Sequence, residues 1–150
     1  MKHEEDLQED ICSSASCWQA SEDLSAFIET FRKPLQPFER KALCRKFPRP
    51  DVNTAYTPML AEYTSSLIPG IKQADKDGKF LHDRILDPLG PMAFIYEHLN
   101  EILSACKEHG TVLLSSDQLQ GLFNASAHGL SLLENSSALH AKERRSTVLN

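Results

Sequence analysis

The sequence predicts an all-α fold, a small irregular bundle of about five to seven helices with no sheet. Three observations predict it. Apolar residues between 80 and 106 recur at steps of three or four: Leu81, Ile85, Leu89, Met92, Ile95/Tyr96, Leu99, Ile102/Leu103 and Cys106. That is the period of one helix face, and His82, Asp83, Asp87, Glu97, Asn100 and Glu101 occupy the other. Alternating β-branched runs and Gly-rich turns are missing, which removes the signal for strands and for an α/β scaffold. Helix starts and stops recur along the chain: Ser21, Pro37, Gly110 and the run from Ser115.

Residues 1–20 are acidic and then rich in Ser and Cys, with Trp18 as the lone tryptophan. They read as a disordered tail ahead of a helical domain over 21–150. Trp18 would anchor that tail to the domain or to a partner. Ser21 is an N-cap candidate, with Glu22 and Asp23 suited to the first turn. Leu24, Phe27, Ile28 and Phe31 form one face, and Pro34 ends the helix.

A second short helix is expected from Pro37 to Lys46, with Phe38, Leu43 and Cys44 on its buried side. Phe47 to Asp51, with prolines at 48 and 50, is a stiff extended link. Thr57-Pro58 opens a third helix with Met59, Tyr63 and Leu67 on one side, and Pro69-Gly70 breaks it. The polar stretch Ile71 to Gly78 leads into the central amphipathic pair.

Pro88 and Pro91 interrupt that pair, so a break or kink falls near Asp87–Pro91, with Pro91 in the first turn of the second helix. Its apolar stripe is either core or a face for a second subunit. Gly110 is a C′-type stop. Ser115 to Gln118 caps a last helix, with Leu119, Leu122/Phe123, Leu130 and Leu133 expected inside. Gly121 and Gly129 in that helix predict a bend or a close helix–helix approach. The stretch 132–150 is polar and ends in Lys142, Arg144 and Arg145, cations suited to a helix C-terminus. The helical pattern still runs at Asn150, which reads as a domain truncated at its C-terminus.

The composition is that of an ordinary globular chain, 41% hydrophobic and 25% charged. No apolar run is long enough for a membrane span and the N-terminus has no signal-peptide core, so a nuclear or cytoplasmic protein is expected. Cys12, Cys17, Cys44 and Cys106 lack the paired spacing of a zinc site or a disulfide framework. Cys106 reads as a small core residue.

Charge is unevenly spread. Residues 30–50 hold Arg32, Lys33, Arg40, Lys41, Arg45, Lys46 and Arg49 against Glu39 alone, a net +6 in a chain whose total is −5. That is a candidate phosphate-binding patch, or a solvated face balanced by the acidic residues of 1–29. No aromatic interleaving supports base stacking there.

Catalytic signatures are missing: no phosphate loop, dinucleotide fingerprint, zinc-protease helix or nucleophile elbow. His82, Asp83 and Asp87 share a helix face that could hold a cation, although solvent exposure explains them as well. Cys106 and His109 make an i, i+3 pair with no orienting group or oxyanion donor. A non-enzymatic protein is expected, with no cofactor, no metal and no small-molecule substrate.

Three blocks, in order, resemble the Gag-like first open reading frame protein of DIRS-type tyrosine-recombinase retrotransposons. The C-terminal domain of lamina-associated polypeptide alpha is similar to the same family. The first block is Lys33-Pro-Leu35, then Leu43 to Pro50, then Thr57-Pro58. It is similar to the family's K-P-L, aromatic-P-R-P and later proline. Asp77 through Leu99 resembles its helix with a P-L or P-M step. Leu132 to Ser137 and Arg144 to Leu149 look like its L-L-G-N-A-S and R-R-x-x-[IV]-L. Glu134 departs from the family's glycine, and the chain stops where the family continues.

The resemblance implies an all-α, self-associating structural or nucleic-acid-packaging protein. Self-association, a coiled-coil-like contact, would run through Leu81, Ile85, Ile95, Leu99 and Ile102. Nucleic acid would meet the basic 30–50 segment with Arg144 and Arg145, and Asn135 would cap or bridge a helix junction.

Overall fold

The computed structural model describes residues 18–30, 33–58 and 69–149, and among them there is helix and no strand. The all-α class is the one that the sequence predicts. The chain divides into two units, 1–30 and 31–150. Residues 1–17, with Cys12 and Cys17, lie outside the described residues, as do Phe31, Arg32 and the segment 59–68 of the expected third helix.

The first unit contributes one described helix, α1 (Glu22–Glu29). Ser21 caps it: its Oγ accepts the Leu24 N–H at 3.2 Å, satisfying a donor that the first turn leaves free.

The second unit has four described helices and one 3-10 turn. Helix α2 (Pro37–Lys46) has the predicted bounds. Proline suits its first position, and the Gln36 N–H donates to Glu39 Oε2 at 3.0 Å. Phe38, expected inside, is exposed; Leu43 and Cys44 are half-buried. The proline link runs from Phe47 to Pro50, and a 3-10 turn (Asn53–Ala55) closes it on the buried Ala55.

Helix α3 (Ile71–Leu86) starts directly at the Pro69-Gly70 breaker, with Gly70 at φ 81°. The stretch 71–78, expected as a lead-in, is helical throughout. Its polar character marks an exposed helix, not a loop. Helix α4 (Leu89–His109) follows after a break at Asp87-Pro88, with Pro91 in its first turn, as the prolines require. Gly110, at φ 81°, ends it, its N–H donating to the Cys106 carbonyl at 2.7 Å.

Helix α5 (Ser116–Leu149) is the spine, packing along α4 and α3 and touching α2. Ser115 Oγ accepts the Gln118 N–H at 3.1 Å, and Gln118 Oε1 accepts the Ser115 N–H at 2.8 Å, a reciprocal capping box. The helix runs unbroken through both glycines, and a Cβ on either would meet its neighbours at ordinary contact distance, so neither a bend nor an unusually close approach is seen there. A Cβ on Gly129 would sit 3.5 Å from Pro91 of α4.

The expected inner face of α5 requires correction. Leu119, Phe123 and Leu133 are exposed, and Leu130 is half-buried. The buried residues of α5 are Ala125, Gly129, Leu132, Glu134, Asn135, Ser136 and Ala138. Apart from Leu132 these are mostly small or polar side chains, while Leu119, Phe123 and Leu133 turn outward. Among the described residues the buried apolar side chains are Ala55, Pro91, Ala125, Leu132 and Ala138. That core is thin, so polar contacts hold much of the register.

Candidate functional site

The polar centre of the second unit is Asp87, only 2% exposed. It sits where α3 gives way to α4 because Pro88 cannot continue the ladder. Arg40 of α2 donates from Nε to Oδ2 at 2.6 Å and from Nη2 to Oδ1 at 2.9 Å. Arg49, on the proline link, donates from Nη2 to Oδ1 at 2.8 Å and to the Asp83 carbonyl at 2.7 Å. Its Nη1 reaches the Ala55 carbonyl at 3.2 Å. One carboxylate therefore fixes α2, the link and the 3-10 turn on the α3–α4 junction. The fork of an arginine, unlike an ammonium, meets several acceptors at once.

A second relay lies beside it. Thr57 Oγ1 donates to Asp83 Oδ1 at 2.6 Å, and His82 Nδ1 lies 3.1 Å from that hydroxyl. His82, Asp83 and Asp87 thus hold other parts of the chain. Among the described residues no cluster of His, Cys, Asp and Glu could hold a metal ion. Cys106 is half-buried, and His109 faces Glu108 at 3.8 Å.

Electrostatics follow from this packing. The hydrogen bond to Asp87 raises the Arg40 guanidinium above its ordinary value. Burial, with Asp87 nearby, pushes the Cys44 thiol up. Burial and the Arg40 charge lower Arg84, which stacks 3.6 Å over the Phe80 ring. Burial also raises Glu134.

The basic 30–50 segment is therefore two sets. Arg40 and Arg49 turn inward to Asp87. Lys33, Lys41, Arg45 and Lys46 are exposed, and Arg32 lies outside the described residues. Arg144 and Arg145 are exposed on the last turns of α5, where Arg145 Nε donates to the Ala141 carbonyl at 3.3 Å. Asn135 does bridge: its Oδ1 accepts the Leu35 N–H at 2.8 Å, tying α5 to the residues before α2.

The apolar stripe is divided likewise. Leu81, Ile95 and Ile102 are half-buried within the unit. Ile85 and Leu99 are about half exposed, at 48% and 50%. With Leu99 on α4 stand Met92 at 55%, Tyr96 at 70% and Leu103 at 54%. These four are spaced four, three and four residues apart, an uninterrupted apolar row along one side of the helix.

Sequence reasoning missed two features. From the sequence, Asp87 belongs to a polar helix face that solvent exposure or a cation would explain. The signal lies in the net +6 of residues 30–50, some of whose cations need an internal acid. The outward set Met92, Tyr96 and Leu103 was part of the stripe, but periodicity alone does not say which half of a wide stripe faces inward. No helix among the described residues is long and apolar enough to cross a membrane. Comparison with protein-family models, with curated proteins and with solved structures returned no match.

Proposed function

We propose that this chain is a non-enzymatic, self-associating helical protein of retrotransposon Gag-like origin. A single observation supports it most: the exposed row Met92, Tyr96, Leu99 and Leu103 on α4. Scattered exposed leucines are ordinary, whereas a contiguous apolar row is a surface that association would cover. The alternating spacing is that of a helix–helix seam, which a second copy of the same helix can match. The row spans about 16 Å of helix, three turns of contact. The three sequence blocks in order support the Gag-like origin.

A dimer or higher species is expected by light scattering coupled to size exclusion, persisting at high salt because apolar burial is not screened. Leu99→Lys with Tyr96→Lys should give a monomer with an unchanged circular dichroism spectrum, since both side chains are exposed in the single chain. A wild-type monomer at both salt concentrations overturns the reading. A second reading, nucleic-acid binding through Lys33, Lys41, Arg45 and Lys46, draws support from their shared exposure. It would show as affinity that falls steeply with salt.

A further inference from the structure

An open cleft of about 500 Å³ lies beside the Asp87 clasp. Its lining includes Arg40, Lys41, Arg45, Arg49, Tyr56 and Asp87. We propose that this cleft binds a small phosphate monoester carried on a planar aromatic group.

The charge balance comes first. Four cations line the cleft against the one carboxylate of Asp87. That carboxylate receives three hydrogen bonds from Arg40 and Arg49, so its lone pairs are directed to the protein. It anchors the two guanidiniums and cancels one of the four positive charges, so the lining keeps an excess of three cations. Arg40 is held by Nε and Nη2, and its Nη1 has no hydrogen-bond partner among the described residues, yet is not sealed off from solvent. This is a fixed donor of the kind that recognises phosphate oxygens, its orientation already set by Asp87. Lys41 and Arg45, exposed and one turn apart on α2, add two cations on the rim, with Arg45 Nε donating to the Lys41 carbonyl at 3.3 Å.

The walls decide the rest of the ligand. Phe47 and Pro48 give the cleft an apolar side. The Tyr56 ring is 48% exposed and lies 5.6 Å from the Arg49 guanidinium. Its hydroxyl is turned to the Arg49 carbonyl at 3.5 Å. A half-exposed ring beside a cluster of cations is a platform for stacking a ligand ring while the cations take its phosphate. The size is in the range of small-molecule sites. A nucleoside monophosphate and an aryl phosphate share this chemistry.

Titration calorimetry on the whole chain, with inorganic phosphate, phenyl phosphate and adenosine monophosphate as probes, tests the proposal. Both aromatic phosphates should bind more tightly than inorganic phosphate, and amide chemical shifts should move at 40–57. The adenosine and phenyl arms separate a nucleotide from an aryl source. Lys41→Ala with Arg45→Ala, both surface changes that leave the clasp intact, should weaken binding about tenfold or more, the loss of a charge-assisted contact. Tyr56→Leu should remove the advantage of the aromatic probes over inorganic phosphate. No binding of any probe at millimolar concentration overturns the proposal. So does affinity unchanged in the Lys41/Arg45 variant, or shifts confined to other parts of the chain. Equal binding of inorganic and aromatic phosphates overturns the choice of ligand.

Discussion

Arg40 and Asp87 are joined by two hydrogen bonds, 2.6 and 2.9 Å long, although 47 positions separate them. Arg49 shares the same carboxylate at 2.8 Å. With so few fully buried apolar side chains, this clasp does what a larger core does elsewhere, fixing α2 and the proline link on the α3–α4 junction. Two guanidiniums on one buried carboxylate are stable only while the carboxylate is present.

Asp87→Asn should therefore destabilise the second unit by about 3 kcal/mol, the usual consequence of removing one partner of a buried ion pair. Arg49→Lys keeps a charge but loses the fork that spans the Ala55 and Asp83 carbonyls and Asp87, and should cost about 2 kcal/mol. Asp51→Asn, at an exposed position, is the control. Urea midpoints give all three, and an Asp87→Asn protein as stable as Asp51→Asn would refute the clasp.

Gly90 gives a test of the same junction from the backbone side. A Cβ there would overlap the Phe47 carbonyl oxygen, whereas one at Gly78 meets nothing. Gly90→Ala should cost about 3 kcal/mol, because backbone on both sides has to move. Gly78→Ala, within α3 and facing open space, should instead stabilise by about 0.5–1 kcal/mol. Opposite signs from one substitution at two glycines in thermal melts would separate packing from helix propensity.

Much of this architecture is legible in the residues. Pro37 to Lys46, the Asp87-Pro88 break, the Gly110 stop and the Ser115 cap are local features, set by backbone chemistry within a few positions. The Asp87 clasp is not local. Nothing near Asp87 says that two arginines from 38 and 47 positions earlier will reach it. The inner face of α5 was hidden for another reason. Hydrophobic periodicity favours Leu119, Phe123 and Leu133, yet the side of α5 that turns inward carries Ala125 and Gly129. The same limit applies to the α4 stripe, whose width conceals which residues stay outside.

Stability should depend on pH through His128. Its ring stands edge-on to Phe47 with centroids 5.2 Å apart, and its Nδ1 is buried without a partner among the described residues. Burial, with Lys46 adding repulsion, lowers its folded pKa below the ordinary value. The unfolded chain therefore takes up the proton first. Stability is full above the unfolded value of about 6.5 and is lost as pH falls below it. His128→Leu should flatten the change in urea midpoint between pH 7.5 and 5.5. An identical slope in the variant would assign the dependence to other groups.

Asn135 carries the last prediction, because it ties the spine helix to the approach of α2. Its side chain is 1% exposed and accepts the Leu35 N–H at 2.8 Å across 100 positions. Asn135→Ala removes the acceptor and leaves that N–H without its partner, which should cost about 1–3 kcal/mol. Loss of the bond frees the residues before α2, not the α4–α5 pair. Amide exchange should accordingly speed up at Leu35 in the variant while the α4 amides between Phe94 and Ile102 keep their protection relative to global unfolding. Uniform acceleration across both regions would mean that Asn135 acts on the whole unit and not on this joint.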